Sequence, residues 1–211
     1  MDYLSFRNQM YDLACFSIDQ VYAWQPGFDR NNLYRWTKKG LLVRLKRGYF
    51  AFPEYKRKPD YAWYFANCMY KPSYISLHTA LSFYGIIPES VIQITSVTTL
   101  KTISFFNEFA QYTYRSVKKE LMFGYGLKSL PDGRGIRFAS SEKALLDLLY
   151  LYPEYNTLRQ MEDLRLDGDF IHNEFNIKLF KDYLKLFHNK ALEHRVQLFF
   201  SAYGLSPLQR S

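Results

Sequence analysis

Residues 29–52, DRNNLYRWTKKGLLVRLKRGYFAF, read as a helix closed by a glycine and followed by a two-stranded ribbon. Asp29 is placed to cap the first free N–H groups, and Phe28 to staple onto Leu33. Gly40 supplies the stop, because a residue without Cβ readily takes the left-handed conformation that ends a helix. Leu33 and Trp36 make one apolar stripe, whereas Asn31, Arg35 and Lys38 fall on a different, polar face. Beyond Gly40, Val43 and Leu45 alternate with Arg44 and Lys46. Arg47-Gly48 turns the chain, and residues 49–52 return as a second strand.

Upstream of this stretch, residues 3–14 place Phe6, Met10 and Leu13 on one helical face. Ser17 then starts a second helix, with Gln20 as its capping-box partner and Phe16 stapled to Val21. Gln25-Pro26-Gly27 stops it near Trp24. Three helices and a basic hairpin, in that order, are the layout of a winged helix-turn-helix spanning residues 1–58. In such a domain the third helix enters the major groove of double-stranded DNA. Asn31, Asn32 and Arg35 are the base-reading candidates, since amide and guanidinium groups match adenine and guanine edges. Lys38, Lys39, Arg44, Lys46 and Arg47 suit phosphate contacts, and Arg30 at the helix start completes the DNA-binding set. Tyr34, Tyr49 and Phe50 read as packing residues.

The charge distribution supports this reading. Residues 30–58 hold ten Lys or Arg against one acid, Glu54, a local net charge of +9 within a chain of net +8. The basic character is therefore confined to one stretch, as a nucleic-acid footprint should be. A charge run is usually a solvated face. Here the cations are interleaved with aromatics and fixed on a helix and a ribbon.

The 211-residue chain is 48% hydrophobic, which excludes a disordered protein and allows one large domain or two small ones. Residues 53–60, PEYKRKPD, carry two prolines and no apolar periodicity, and read as the linker to a second domain, residues 59–211. Cys15 and Cys68 have no CxxC spacing, which argues against zinc and against a disulfide scaffold and fits a reducing cytoplasm. No secretory leader and no apolar run of about 20 residues is visible, so a cytoplasmic location is expected.

The second domain is expected to be α+β with a helical tail. Residues 61–69 are aromatic-rich and helical. Ser76 is placed to cap a helix in which Leu77, Ala80, Leu81 and Tyr84 share a face, ended by Gly85 and Pro88. Strands are expected over 91–98, 109–117, 121–127 and 136–139. Ser140 or Ser141 opens a helix that is apolar on several sides, through Leu145, Leu146, Leu148, Leu149 and Leu151, and should be buried against the sheet. Two amphipathic helices follow, striped by Ile177, Phe180, Leu184 and Phe187, and by Leu192, Val196, Phe199 and Tyr203.

Catalytic chemistry is not visible. His78, His172, His188 and His194 lack metal-ligand spacing and nucleophile partners. Gly124-Tyr125-Gly126 lacks the third glycine of a dinucleotide fingerprint, and no Walker lysine is present. Glu142, Lys143 and Asp147 sit at a helix start, where dipole and solubility account for them. A non-enzymatic protein without cofactor or metal is expected.

Four segments in order resemble the AbiEi family: LLVRLKRGYFAF at 41–52, SLHTALSFYGIIPE at 76–89, VIQITSVTTLK at 91–101 and SSEKALLDLLYL at 140–151. The resemblance covers about residues 15–155. It implies an antitoxin of a type IV toxin–antitoxin (abortive infection) system, whose winged helix represses its own promoter. It further implies a second domain that counteracts a cognate nucleotidyltransferase-like toxin, AbiEii. The final third, residues 156–211, has no counterpart in that pattern. The alternative is a stand-alone winged-helix regulator whose α+β domain senses a ligand or binds a protein.

Overall fold

A computed structural model describes residues 2–89 and 91–205. The chain opens with α1 (Tyr3–Met10), whose free N–H of Ser5 is capped by the Asp2 carboxylate at 2.9 Å. Phe6 and Met10 face the core, but Leu13 does not join them. Residues Tyr11–Leu13 form a tighter 3-10 turn, and the change in pitch rotates Leu13 toward solvent. A three-residue strand, β1 (Cys15–Ser17), precedes α2 (Ile18–Trp24) and is too short to show any alternation in sequence. The capping box expected at Ser17 and Gln20 is present, with N–H to side-chain distances of 3.2 and 2.8 Å.

Then come α3 (Asn31–Lys38), β2 (Val43–Lys46) and β3 (Tyr49–Ala51). Asp29 Oδ1 accepts the N–H of Asn31 at 2.9 Å, which is the capping expected of it. At the other end Gly40 takes φ +71°, and Leu41 N–H returns to the Trp36 carbonyl at 2.9 Å, closing the helix. The three strands form an antiparallel sheet in the order β1-β3-β2. Phe6 is the hub of this part. Rings of Phe16, Trp24, Phe28, Trp36 and Phe52 lie 4.7–6.4 Å from its centroid, so α1 is clamped to both helices and to the sheet.

The stretch read as a linker is ordered and packed. Pro53–Arg57 form a 3-10 helix whose Tyr55 is buried, donates its hydroxyl to the Tyr11 carbonyl at 2.7 Å and packs on Tyr61. Prolines fixed this segment's backbone without freeing it, and the core of buried side chains runs from Phe6 to Phe200 without interruption.

The rest is α+β with a helical end. After α4 (Tyr61–Met69) the chain forms β4 (Ser73–Ile75), α5 (Leu77–Phe83), β5 (Gln93–Thr98), β6 (Ile103–Phe106), β7 (Gln111–Ser116), β8 (Tyr125–Ser129) and β9 (Gly135–Ala139). These build a six-stranded sheet in the order β6-β7-β5-β4-β9-β8. The pairs β5/β7 and β4/β9 are parallel and the others antiparallel. β4 and β6, of three and four residues, lie outside the strands expected from sequence, being too short to show a two-residue alternation. Buried α6 (Ser141–Leu151) is followed by α7 (Leu158–Glu162), α8 (Gly168–Asn173), α9 (Ile177–Phe187) and α10 (Lys190–Ala202), and it packs on α5, α9 and α10.

Two sequence-based expectations fail on α5 and α6 for the same reason. Ser76 stands at the N-cap of α5, but its hydroxyl donates to Asp147 Oδ2 at 2.8 Å, and the capping falls instead to Thr95, whose Oγ1 accepts the N–H of Thr79 at 3.1 Å. Lys143 and Asp147, expected on a solvated helix start, are fully buried and paired with each other. Glu142 is buried too and accepts the N–H of Asn176 at 3.0 Å. Gly124 belongs to this packing: a Cβ there would come within 3.0 Å of Lys143 and Tyr183 side-chain atoms, and its φ is +69°.

Candidate nucleic-acid interface

Burial of Leu33 and Trp36 fixes how α3 is rotated. At 100° per residue the opposite side must carry Asn31 and Lys38 at its centre, with Tyr34 on one flank and Arg35 on the other. The Tyr34 flank faces the hairpin. Arg30, Asn31, Tyr34, Lys38 and Arg44 line a groove of about 500 Å³ between α3 and the β2/β3 turn, floored by Leu33, Thr37 and Phe50. Arg44 reaches it because Val43 and Leu45, its neighbours on β2, point into the core. Gly48, at φ +83°, makes the tight turn that brings the hairpin backbone to the groove edge.

Tyr34 is 72% exposed, contrary to its reading as a packing residue. Its place one turn from both Asn31 and Lys38 was the available signal, outweighed by the tendency of aromatics to be buried. On the other flank Arg35 donates to Asn32 Oδ1 at 2.6 Å and Asp29 Oδ2 at 3.3 Å. Both Arg35 and Asp29 remain more than half exposed. The guanidinium is thereby held outward, with donors to spare for another acceptor. Lys38 and Lys39 occupy the C-terminal end of α3, where they also complement the helix dipole. Arg47 is exposed at the hairpin turn.

Lys46 lies elsewhere. Its ammonium sits 4.0 Å from the centroid of the Tyr70 ring and 5.6 Å from that of Phe105, in the seam between hairpin and second sheet. Burial there lowers its pKa. A bulge between Arg44 and Lys46 turns this part of β2 away from the regular ladder. The basic stretch is thus divided: Lys46 covers Tyr70, Lys56 pairs with Glu108, and Lys58 rests on the Tyr55 ring at 4.4 Å. Arg57 is exposed at the end of the 3-10 helix, and the other six cations, Arg30, Arg35, Lys38, Lys39, Arg44 and Arg47, are exposed around α3 and the hairpin.

No family model matches the chain, and no curated protein does.

A second hollow, of about 570 Å³, opens beside α5 and β5 and is lined in part by His78, Glu89, Gln93, Gln111, Tyr155 and Asp163. His78 Nδ1 is buried there without a hydrogen-bond partner among the described residues, and burial lowers the imidazole pKa. No cluster of three or more His, Cys, Asp or Glu suited to a metal occurs among the described residues. No helix among them is long and apolar enough to cross a membrane.

Proposed function

We propose that residues 1–58 form a winged helix that reads double-stranded DNA, and that the chain is a non-enzymatic repressor of its own promoter. The observation that carries this reading is the groove between α3 and the hairpin, with Arg30, Asn31, Lys38 and Arg44 around it and Tyr34 projecting beside them. Three helices, a strand between the first two and a closing hairpin supply the frame. An eight-residue helix is about 12 Å long, comparable with the ~12 Å width of the major groove. Asn31 and Arg35 are assigned to base edges, Asn32 to orienting Arg35, and Arg30, Lys38, Lys39, Arg44 and Arg47 to phosphates. Tyr34 offers a rigid apolar surface to a thymine methyl or a sugar.

Following the AbiEi resemblance, residues 59–211 are assigned the antitoxin half of the function, directed at a nucleotidyltransferase-like toxin encoded beside it. Co-expression with the product of the adjacent reading frame tests this: the chain should restore growth, and an adjacent frame without a nucleotidyltransferase would remove the assignment. A ligand-sensing regulator is the second reading, favoured by the hollow at His78, whose buried nitrogen has no partner among the described residues. It predicts a rise in apparent stability on screening small polar ligands, since a ligand bound only to the native state stabilises it.

The DNA reading is tested by fluorescence anisotropy on the duplex upstream of the gene, against a scrambled duplex, over a salt series. Preference for the upstream duplex supports it, and equal binding that vanishes with salt reduces the groove to nonspecific electrostatics. The two hairpin cations separate cleanly. Arg47→Ala should lower the salt slope by about 0.9, the value of one lost phosphate contact. Lys46→Ala should leave the slope unchanged and instead lower stability by about 0.5–1 kcal/mol, through loss of its contact with Tyr70. Equal effects of the two on the slope would overturn the placement of Lys46.

A further inference from the structure

The hollow beside α5 and β5 is walled by elements that other contacts hold in place. His78 lies in the first turn of α5, and that turn is fastened to β5: Thr79 Oγ1 donates to the Gln93 carbonyl at 3.1 Å, and Thr95 Oγ1 accepts the Thr79 N–H at 3.1 Å. The parallel register of β5 and β7 sets Gln93 beside Gln111. The segment after α5 is tied to the helical end of the chain. There the Ile86 carbonyl accepts the Asp167 N–H at 2.8 Å, and Glu89 Oε1 accepts from Arg165 Nη1 at 3.5 Å. Glu89 and Asp163, the latter at the C-terminal end of α7, thus line the same cavity of about 570 Å³. That volume is within the roughly 300–1,000 Å³ of small-molecule sites.

The lining is chemically one-sided. Ile87, Leu148 and Leu164 are buried and give it an apolar floor, and Ile92 beside them is 90% exposed. Among the described residues two carboxylates and no lysine or arginine line it, in a chain of net charge +8. Arg165 engages Glu89 from a side chain that is 69% exposed, and Asp163 has no ion pair among the described residues. Gln93 and Gln111 add amide oxygens, of which that of Gln93 already accepts the Thr113 hydroxyl at 3.3 Å. Tyr155 adds an aromatic ring, a surface that attracts cations. Burial lowers the His78 pKa, so near neutral pH the imidazole is uncharged and one ring nitrogen is an acceptor. Its Nδ1 is buried and has no hydrogen-bond partner among the described residues, so a polar group from outside the chain would satisfy it.

We propose that the hollow binds a small organic cation, an ammonium or amidinium group carried on an apolar body. Asp163 and Glu89 take the charge, His78 Nδ1 accepts one N–H, and Ile87, Leu164 and Ile92 cover the body. Anions are rejected, because the carboxylates repel them and an uncharged imidazole offers no counterion. Glu89 and Asp163 are solvent-exposed, so their charge selects the ligand more than it strengthens binding. Burial of the body against the apolar floor supplies most of the affinity. This site deepens the ligand-sensing reading and rests on it for any effect on DNA binding, whereas occupancy itself does not.

The test uses the full chain and the Cε1–H proton signals of its four histidines. His172→Asn, His188→Asn and His194→Asn, all at exposed positions, assign three of them, and the fourth belongs to His78 with its surroundings unaltered. The probes are benzamidine and phenylethylamine, with benzamide and benzoate as uncharged and anionic counterparts. Millimolar benzamidine or phenylethylamine should shift the His78 signal saturably and leave the other three in place, with benzamide weaker and benzoate inactive. Asp163→Asn should weaken the cations about fivefold without altering benzamide, at an unfolding midpoint equal to the parent's. The site is overturned by any of three results: no saturable shift at His78 with either cation, benzamide or benzoate binding as tightly as the cations, or an Asp163→Asn chain that binds the cations as the parent does. Cation binding that leaves the anisotropy titration on DNA unchanged would support the site and end the sensing reading, so the two fail separately.

Discussion

Replacing Arg30, Lys38 and Arg44 together by alanine should abolish most of the affinity for DNA without unfolding the protein. All three are exposed, and none forms an ion pair among the described residues, so the folded state loses no paired charge. Each phosphate contact contributes about 0.9 to the slope of log K against log salt, so three lost contacts should lower that slope by about 2.7. Referred to ~1 M salt, where screening removes the term, that slope corresponds to about 500-fold weaker binding at 0.1 M. The loss should be nearly the same on the upstream and the scrambled duplex, because phosphates carry no sequence. Arg35→Ala should behave differently. A lost bidentate contact with guanine costs about 1–3 kcal/mol on the cognate sequence, and the ratio between cognate and scrambled duplex should fall while affinity for the scrambled one barely changes. Anisotropy titrations of the triple variant, Arg35→Ala and the parent on both duplexes check this. A triple variant whose slope equals the parent's would remove the groove from the interface.

The first part of the chain was legible because its signals are local. Ser17 with Gln20, Asp29 ahead of α3, and Gly40 behind it each act over five residues or fewer, and all three hold in the structure. The periodicity that placed Leu33 and Trp36 inward also rotated α3 correctly. What escaped the sequence depends on partners far along the chain. The Ser76 hydroxyl is turned inward by Asp147, and the Lys143–Asp147 pair, itself one helical turn apart, is turned inward by Tyr74 on β4, which no pattern within α5 or α6 announces. Lys46 looks like its neighbours Arg44 and Arg47 until Tyr70 and Phe105 fold against it. Short β4 escaped because three residues show no alternation, although it is a central strand of the six-stranded sheet.

Asp147→Ala should be among the most destabilising single substitutions in the chain. Asp147 and Lys143 are one turn apart on α6, and neither side chain has any exposed surface. The carboxylate accepts the hydroxyls of Tyr74 and Ser76, each at 2.8 Å, and pairs with the ammonium, which also donates to Tyr74 Oη at 2.8 Å. The rings of Phe123 and Phe187, 4.9 and 5.1 Å from Lys143 Nζ, close the rest of the shell. The network ties α6 to β4 and to the start of α5, yet its large effect on mutation arises from what is left behind. Without Asp147 the ammonium is a buried charge with no counterion, which costs about 3–5 kcal/mol, a large share of the 5–15 kcal/mol typical of a domain. The pH dependence gives the assignment a signature. Burial already lowers the Lys143 pKa, and Asp147 is what raises it, so removing Asp147 lowers it further below the unfolded value of about 10.4. Between the folded and unfolded pKa the unfolded chain binds more protons. Stability of the variant must therefore rise with pH across that window, and its deficit relative to the parent should narrow toward pH ~10. Adding Lys143→Met should recover much of the loss at neutral pH by removing the stranded charge, leaving mainly the unpaired hydroxyls of Tyr74 and Ser76, at about 1–3 kcal/mol each. Denaturant unfolding of the parent, the single variants and the double variant across pH measures all of this, and the coupling between the two sites should be strongly non-additive. An Asp147→Ala variant that unfolds at the parent's midpoint at every pH would mean that water reaches the pair and that the two charges are solvated rather than buried.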